Sequence, residues 1–248
     1  INPEDSMIYC ETFDQFRTLV RLTCNTTTGL LTHCFVGALP ANTAATFNPT
    51  DNAYIGNSGR LFQLLNASQF PAFENRPPAD GATNLADRVT FIGPRLNARG
   101  LSVARYDLFG LGLQDWVVAC NANIVSFQSV QNENQNFVLN VVGADLTGLA
   151  PTQWSFNSQV YCAYPNGVYE VLLEFASLST FTVYLSLVLD APTPAQGVFV
   201  EGINCQNTTS PFAEATTTTS TTTTTTPPPL EVCNSTPWNC SDQALQLI

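Results

Sequence analysis

The chain contains 248 residues, of which 44% are apolar, so it can bury a substantial core without depending on its cysteines alone. Charged residues are scarce at 11%, against roughly 25% in a typical soluble domain. The formal net charge is -11, lysine is absent, and the eight arginines stand apart from one another. Isolated arginines cannot form the basic stripe that binds a phosphate backbone, which excludes nucleic acid as an expected partner.

No stretch of the sequence has the character of a membrane-spanning helix. The longest apolar-leaning run, residues 175–189, is interrupted by serine and threonine and is shorter than the roughly 20 residues that a spanning helix needs. The chain begins at Ile1 without a charged and then apolar leader, so we expect a mature product whose signal peptide has been removed. A cleaved C-terminal lipid-anchor signal stays open as an alternative.

Residues 1–210 show short alternating or β-branched runs separated by clusters of Asn, Gly, Pro and Asp, a pattern typical of strands and turns. The clearest alternation lies in residues 181–189, and no helix longer than two turns is indicated. This spacing of strands predicts an all-β domain built as a two-sheet β-sandwich. The predicted strands are residues 16–24, 60–65, 88–92, 101–106, 114–120, 124–130, 137–142, 160–163, 168–175, 181–189 and 198–200.

One passage resembles a known family. Val103 and Tyr106 lead into the turn Asp107-Leu108-Phe109-Gly110, a strand follows at residues 114–120, and a hydrophobic strand ends at Gly143. This order is similar to a passage found in galactose-binding-like jelly rolls and related extracellular carbohydrate-associated modules. The resemblance covers residues 101–143 and implies a jelly-roll topology in preference to an immunoglobulin one. It brings no ligand-binding residues with it.

The eight cysteines form an even set without a C-x-x-C pair, and the chain has a single histidine, His33. Common zinc sites need closely spaced cysteines or paired histidines, so disulfides formed in an oxidising compartment are the better interpretation. Closeness in sequence favours two pairs: one brackets a turn rich in Thr and Gly, and the other lies beyond the Thr- and Pro-rich segment, apart from the other cysteines. Among the possible pairings of the remaining four cysteines, we prefer Cys10 with Cys205 and Cys120 with Cys162. The predicted disulfides are Cys24–Cys34, Cys233–Cys240, Cys10–Cys205 and Cys120–Cys162.

A composition break at Pro211 divides the chain into a β domain (1–210), a Thr- and Pro-rich stalk (211–229) and a disulfide-closed tail (230–248). Such tracts are typical of O-glycosylated mucin-like stalks, and at about 3.1 Å per residue this one would span about 60 Å when extended. The predicted O-glycosylation sites are Thr216, Thr217, Thr218, Thr219, Ser220, Thr221, Thr222, Thr223, Thr224, Thr225 and Thr226.

N-glycosylation sequons are also present, and the oxidising compartment inferred from the cysteines favours their use. Asn48 is excluded because Pro49 follows it. The predicted N-glycosylation sites are Asn25, Asn66, Asn207, Asn234 and Asn239.

Catalysis has little support in the sequence. General acid and base chemistry usually draws on His, Lys or closely placed carboxylates, and lysine is absent. Glu170 and Glu174 would share one face of a strand, but they would lie about 13 Å apart, beyond the roughly 5–9.5 Å that glycosidases use. His33 is interpreted as a surface residue. We therefore predict that the chain is not an enzyme and needs no cofactor.

The sequence contains candidate residues for binding two kinds of ligand, a calcium ion and a sugar. A structural calcium ion would find oxygen ligands among Asp14, Asp107, Asp115, Asp145 and Asp190, although they lack the spacing of a dedicated calcium loop.

A sugar-stacking platform is the other possibility, with core packing and cross-strand pairs as the alternative role of the same rings. Its candidate aromatic residues are Trp116, Trp154, Tyr161, Tyr164 and Tyr169.

The favoured function is that of a structural subunit in an extracellular glycoprotein filament or surface coat. Residues 230–248 end in the apolar segment Ala244-Leu245-Gln246-Leu247-Ile248, which could dock on the next copy and link copies head to tail. The partners would then be other copies of the same chain and covalently attached glycans. The alternative is a non-catalytic carbohydrate-binding or adhesion module displayed on the glycosylated stalk.

Overall fold

A computed structural model describes residues 2–5, 7–12, 15–25, 30–76, 83–143, 146, 149, 151–156, 158–177 and 180–190. The described fold is all-β, with two short 3-10 helices, Ala67–Gln69 and Leu85–Arg88. Its strands are β1 (Ile8–Glu11), β2 (Thr18–Asn25), β3 (Leu30–Ala38), β4 (Ala45–Phe47), β5 (Tyr54–Asn57), β6 (Arg60–Leu64), β7 (Thr90–Pro94), β8 (Ser102–Asp107), β9 (Leu113–Asn121), β10 (Ile124–Ser129), β11 (Asn136–Val142), β12 (Thr152–Phe156), β13 (Gln159–Tyr164), β14 (Gly167–Ser177) and β15 (Thr180–Asp190).

These strands form three sheets. The N-terminal sheet has the order β1-β2-β3, the middle sheet β4-β5-β6-β7, and the third sheet β12-β13-β14-β15-β11-β10-β9-β8. The third sheet consists of two antiparallel meanders joined by a parallel pairing of β11 with β15, in which Val141 lies opposite Val183. Neighbours in each meander are consecutive in sequence, so only this parallel junction requires a long crossover.

The eight-stranded sheet curls into a near-barrel, because its first and last strands approach each other. The Ser155 hydroxyl on β12 donates to the Val103 carbonyl on β8 at 3.2 Å. The Gln153 side chain on β12 accepts from the Cys120 backbone N–H at 2.6 Å and donates to the Val118 carbonyl. Backbone hydrogen bonds do not pair β12 with β8. Instead, side chains of β12 bond to backbone groups of β8 and β9.

The barrel interior holds the first hydrophobic core. Trp116, Phe127 and Val183 are fully buried there, and Phe109 packs against Phe181 with ring centroids 4.8 Å apart. The predicted disulfide between Cys120 on β9 and Cys162 on β13 is formed inside this core, and both cysteines are fully buried. It joins two strands that belong to different meanders.

The middle sheet covers the outer face of β8 and β9. Ile55, Leu61 and Ile92 of the middle sheet pack against Val103 and Val117 of the barrel to form a second core. Consequently β9 is buried on both faces, with Trp116 and Val118 inside the barrel and Val117 and Ala119 outside it. This double burial explains its continuous apolar sequence, since a strand buried on both faces does not alternate.

The other face of the middle sheet is covered by the N-terminal sheet. Tyr54 and Phe62 point away from the barrel and pack with Leu19 of β2 and Val36 of β3 in a third core. The molecule is thus layered, with the N-terminal sheet outermost, the middle sheet buried on both faces, and the near-barrel on the far side.

The predicted two-sheet sandwich is corrected to these three sheets. Most predicted strands that fall on described residues are present with ends shifted by one or two positions. Five described strands were not predicted: β1, β3, β4, β5 and β12. Three of them contain only three or four residues, which is too short for an alternating pattern to be recognised. Residues 198–200 lie outside the described part.

The predicted Cys24–Cys34 disulfide does not fit the register of the β2–β3 hairpin. Cys24 lies opposite Leu31, and Cys34 lies opposite Arg21. The two cysteines are therefore three rungs apart, about 10 Å along the strands, whereas a disulfide needs Cα atoms within roughly 7 Å. The thiols of Cys34 and Cys10 are free in this structure.

Several predicted features fall outside the described residues. They include the stalk (211–229), the tail (230–248) with Cys233–Cys240, and the Cys205 half of the Cys10–Cys205 pair. Within the described part of the chain, no helix is long and apolar enough to cross a membrane.

Candidate interaction surface

The predicted sugar-stacking platform is not an exposed surface. Trp116, Tyr161 and Tyr164 are at most 2% exposed. Trp154 is half-buried and stacks on Tyr161 with centroids 6.4 Å apart, while Tyr169 packs edge-on against Tyr164 at 5.6 Å. Burying large rings stabilises the fold, and rings that are occupied by other rings cannot stack on a sugar. The alternative roles, core packing and cross-strand pairing, fit these positions: Trp116, Tyr161 and Tyr164 are buried, and Trp154 lies directly opposite Tyr161 on the neighbouring strand.

Asp115 is a structural residue. Its buried carboxylate accepts from the Thr50 hydroxyl at 2.9 Å and from the amides of Asn48 and Gln131 at 3.4 Å, and the Arg105 guanidinium lies 3.8 Å away. These donors occupy the oxygens that a calcium ion would need. The network ties β9 to the turn between β4 and β5 and to the loop after β10.

The other calcium candidates are scattered. Asp107 accepts from the Gly112 backbone N–H at 2.9 Å, which stabilises a turn, and Asp190 lies at the end of β15, opposite Gly167. Asp14 and Asp145 lie outside the described residues. Among the residues that the structure does describe, no group of three or more His, Cys, Asp or Glu side chains is placed to hold a metal ion.

Glu170 and Glu174 do share a face of β14, on the outside of the near-barrel, where they lie opposite Ser186 and Thr182. Partial burial raises the pKa of Glu170, although a hydrogen bond from the Gln159 amide opposes the shift. The exposed His33 packs edge-on against Phe35 at 4.9 Å in the N-terminal sheet. The structure does not bring His33 together with either glutamate, because they lie in different sheets.

Asn66 is exposed at the turn before the first 3-10 helix, with a left-handed backbone (φ 55°). An exposed turn is the setting in which an N-linked sugar fits without disturbing the core. The side chain of Asn25 and all of Asn207, Asn234 and Asn239 lie outside the described part of the chain.

An apolar surface that no other described residue covers crosses β14, β15, β11 and β10 on the outside of the near-barrel. Leu172, Tyr184 and Val142 lie side by side in one row across three strands. Leu172, Val142, Val138 and Ile124 are 41%, 48%, 64% and 37% exposed. We call these residues, together with Glu170 and Glu174, the outer strip: Ile124, Val138, Val142, Glu170, Leu172, Glu174 and Tyr184. Exposed apolar groups that are contiguous on a sheet indicate an interaction site.

Acidic groups border the apolar row of the outer strip. A hydrogen bond with the Glu174 carboxylate raises the pKa of the Tyr184 hydroxyl. Because Leu172 lies directly opposite Tyr184, and Glu170 and Glu174 are two residues on either side of Leu172, the row is flanked by two carboxylates. The surface is therefore apolar at its centre and negative at its rim.

A second exposed surface lies on the N-terminal sheet. The Arg76 guanidinium lies 4.9 Å from the ring centroid of Phe16 and 5.2 Å from that of Phe35, and Phe73 pairs with Phe35 through the backbone. Phe16 is 53% exposed and Phe73 37%. We call Phe16, Phe35, Phe73 and Arg76 the arginine–aromatic cluster. The sequence did not predict it, because its members are up to 60 positions apart and no local pattern links them.

Glu11, at the end of β1, is half-buried, and its Oε1 atom has no hydrogen-bond partner among the described residues. Burial raises the pKa of this carboxyl to about 7, although the nearby Arg17 charge opposes the shift. An acid whose pKa is raised by folding binds its proton more tightly in the native state. Stability is therefore highest below the unfolded-state pKa and falls as pH rises towards 7.

We expect Glu11→Gln to raise the free energy of unfolding at pH 8 by about 1 kcal/mol, a value discounted because the side chain is half-exposed. At pH 4 the variant and the parent should be equally stable. Urea unfolding at both pH values, monitored by circular dichroism, measures the difference. Glu74→Gln removes one exposed carboxylate and is the control; an equal gain from both substitutions would show that net charge is responsible.

Comparison of this chain with protein-family models, with curated proteins and with solved structures gave no match.

Proposed function

We propose that the chain is a structural subunit of an extracellular glycoprotein filament or surface coat, whose copies are linked through residues 211–248. The observation that carries this proposal is the outer strip, an apolar sheet face that no other described residue covers, whereas the described faces between the three sheets are packed against one another. Apolar area of this kind is usually covered by another protein surface. The buried polar network at Asp115 and the buried aromatic rings argue for a rigid building block.

The extracellular location is part of the same proposal. A buried disulfide between Cys120 and Cys162 is typical of proteins that fold in an oxidising compartment. The exposed sequon at Asn66 and the run of threonines at 216–226 would carry sugars, which keep such surfaces soluble when charged residues are few. A jelly-roll relationship remains a proposal as well, resting on residues 101–143.

The linkage is tested by removing the tail contacts from the full glycosylated chain. We expect replacement of Leu245, Leu247 and Ile248 by serine to shift the protein from polymers to monomers and short oligomers, because the apolar end of the tail is lost. Removal of residues 211–248 should do the same. Sedimentation velocity and negative-stain electron microscopy measure the size distribution.

Leu230→Ser is the matched control, since it changes one leucine at the other end of the same segment. Thermal unfolding must show that the β domain remains folded in every variant. If the shortened chain forms the same polymer as the full chain, the proposed linkage is wrong. Binding to a glycan array by a monomeric full chain would instead favour the alternative, a carbohydrate-binding or adhesion module.

A further inference from the structure

Each strand of the N-terminal sheet carries a cysteine. Cys10 is on β1, Cys24 on β2 and Cys34 on β3. The thiols of Cys10 and Cys34 are free, and both residues are half-buried, so another sulfur atom can approach them from outside. The disulfide between Cys120 and Cys162 is typical of an oxidising compartment, in which thiols usually become paired.

The register of the sheet prevents these three cysteines from pairing with one another. β1 and β3 lie on either side of β2, so the Cα atoms of Cys10 and Cys34 are two strand spacings apart, about 9.5 Å. They also point to opposite faces, because Cys10 lies opposite Val20 and Cys34 lies opposite Arg21, the next residue of β2. Cys24 is a further three residues along β2, about 10 Å away. A disulfide needs Cα atoms within roughly 7 Å.

The other possible partners within this chain lie beyond residue 190. Cys120 and Cys162 are bonded to each other and are therefore not available. The three cysteines of the sheet are matched in number by Cys205, Cys233 and Cys240. Unless two N-terminal sheets bond to each other, a pairing that uses all six cysteines joins the sheet to residues 205–240.

The spacing of Cys233 and Cys240 suits the two free thiols. Seven residues of extended chain span up to about 24 Å. This length exceeds the separation of about 10 Å between Cys10 and Cys34 and leaves enough chain to pass from one face of the sheet to the other. Cys10 lies on β1, which is an edge strand of the sheet, so a chain can pass around it there.

We propose that Cys233 and Cys240 of one copy form disulfides with Cys10 and Cys34 of the next copy. This inference rests on the proposed assembly function and makes the linkage through the tail covalent. It replaces the predicted pairs Cys233–Cys240 and Cys10–Cys205. The contact is heterologous, because a tail bonds to a sheet, so it extends along a row of copies unless a ring closes.

Each new bond forms by oxidation of two thiols. One hydrogen leaves each sulfur atom, and the two protons and two electrons reduce the disulfide of a thiol oxidoreductase to its dithiol by thiol–disulfide exchange. Enzymes of this class act in the oxidising compartment that the Cys120–Cys162 disulfide indicates.

The test uses the full glycosylated chain, treated with N-ethylmaleimide to block free thiols and then separated by SDS gel electrophoresis. We expect a ladder of multimers without reductant that collapses to the monomer with dithiothreitol. Mass spectrometry of a non-reduced digest should find Cys10 and Cys34 linked to Cys233 and Cys240. Two double variants, Cys10→Ser with Cys34→Ser and Cys233→Ser with Cys240→Ser, should each lose the ladder.

Co-expression of the two double variants distinguishes a bond between copies from a bond within one chain. The first variant keeps the tail cysteines and the second keeps the sheet cysteines, so together they should form a disulfide-linked dimer and nothing longer. Cys205→Ser is the control, since it removes a cysteine from neither end of the proposed bonds, and its ladder should remain.

Thermal unfolding of each variant distinguishes loss of a bond from loss of fold, and peptide mapping of the parent keeps the test valid if a variant does not fold. If the parent polymerises but separates into monomers in SDS without reductant, the inference is wrong while the proposed function stands. The same holds if the polymer contains Cys233 bonded to Cys240. If the parent chain stays monomeric, both are wrong.

Discussion

Replacing Trp116 with alanine is expected to lower the free energy of unfolding by about 3–5 kcal/mol. Trp116 is fully buried at the centre of the barrel core, and its ring lies 5.5 Å from that of Phe137. Its indole N–H donates to the Tyr106 carbonyl at 3.1 Å, so the substitution also leaves a backbone acceptor without its partner. Urea unfolding monitored by circular dichroism measures the loss.

Trp154→Ala is the matched control for this prediction. Trp154 is half-buried at the edge strand β12, so the loss there should be clearly smaller. Equal losses at both positions would show that the barrel core is not packed as described. Because Trp116 is fully buried, reduced glycan binding by a Trp116 variant would indicate unfolding, not the loss of a contact with sugar.

Replacing Gln153 with alanine is expected to destabilise the protein by about 2–4 kcal/mol. β8 begins at Ser102, opposite Val118, so within the described chain the next backbone groups of β9 on that side do not pair with β8. The Gln153 amide accepts from the Cys120 N–H and donates to the Val118 carbonyl in their place. Truncation leaves two buried backbone groups unpaired. Chemical denaturation measures the effect.

Two further variants sharpen this prediction. Gly100→Ala should also destabilise the protein, because a Cβ atom there would lie 2.6 Å from the Gln153 backbone nitrogen. Gln159→Ala removes an exposed amide from the adjacent strand and should have an effect below about 0.5 kcal/mol. A loss of less than 1 kcal/mol for Gln153→Ala would mean that water or another group replaces the amide.

The strands that were predicted well from the sequence are those whose residues alternate clearly between apolar and polar. Residues 181–189 alternate because Phe181, Val183 and Leu185 point into the barrel while Thr182 and Tyr184 point out. β4 and β5 were missed because they are short and buried on both faces, and β5 contains Gly56, which lies against the Phe62 ring. β3 was missed because its first residues lie between Cys24 and Cys34, which were taken to bracket a turn and to form a disulfide that the β2–β3 register does not allow.

The candidate surfaces could not be predicted from the sequence. Leu172 and Tyr184 face each other in the antiparallel β14–β15 pair, but Val142 becomes a neighbour of Tyr184 only because β11 pairs in parallel with β15, after an excursion through β12, β13 and β14. A pairing between strands about 40 residues apart is decided by which faces need cover in the folded chain, and no local pattern records it. Likewise, burial turned Trp116 and Tyr164 from ligand candidates into core residues.

By itself, the sequence determined the all-β class, the acidic and lysine-free character and most of the longer strands. These follow from composition and from the period of two that a half-buried strand imposes. The tertiary structure alone decided that the described strands form three sheets, that β9 is buried on both faces, and that no other described residue covers the outer strip. The physical reason is that the alternating sequence pattern shows which face of a strand is apolar, whereas only the packing of the folded chain determines which element covers that face.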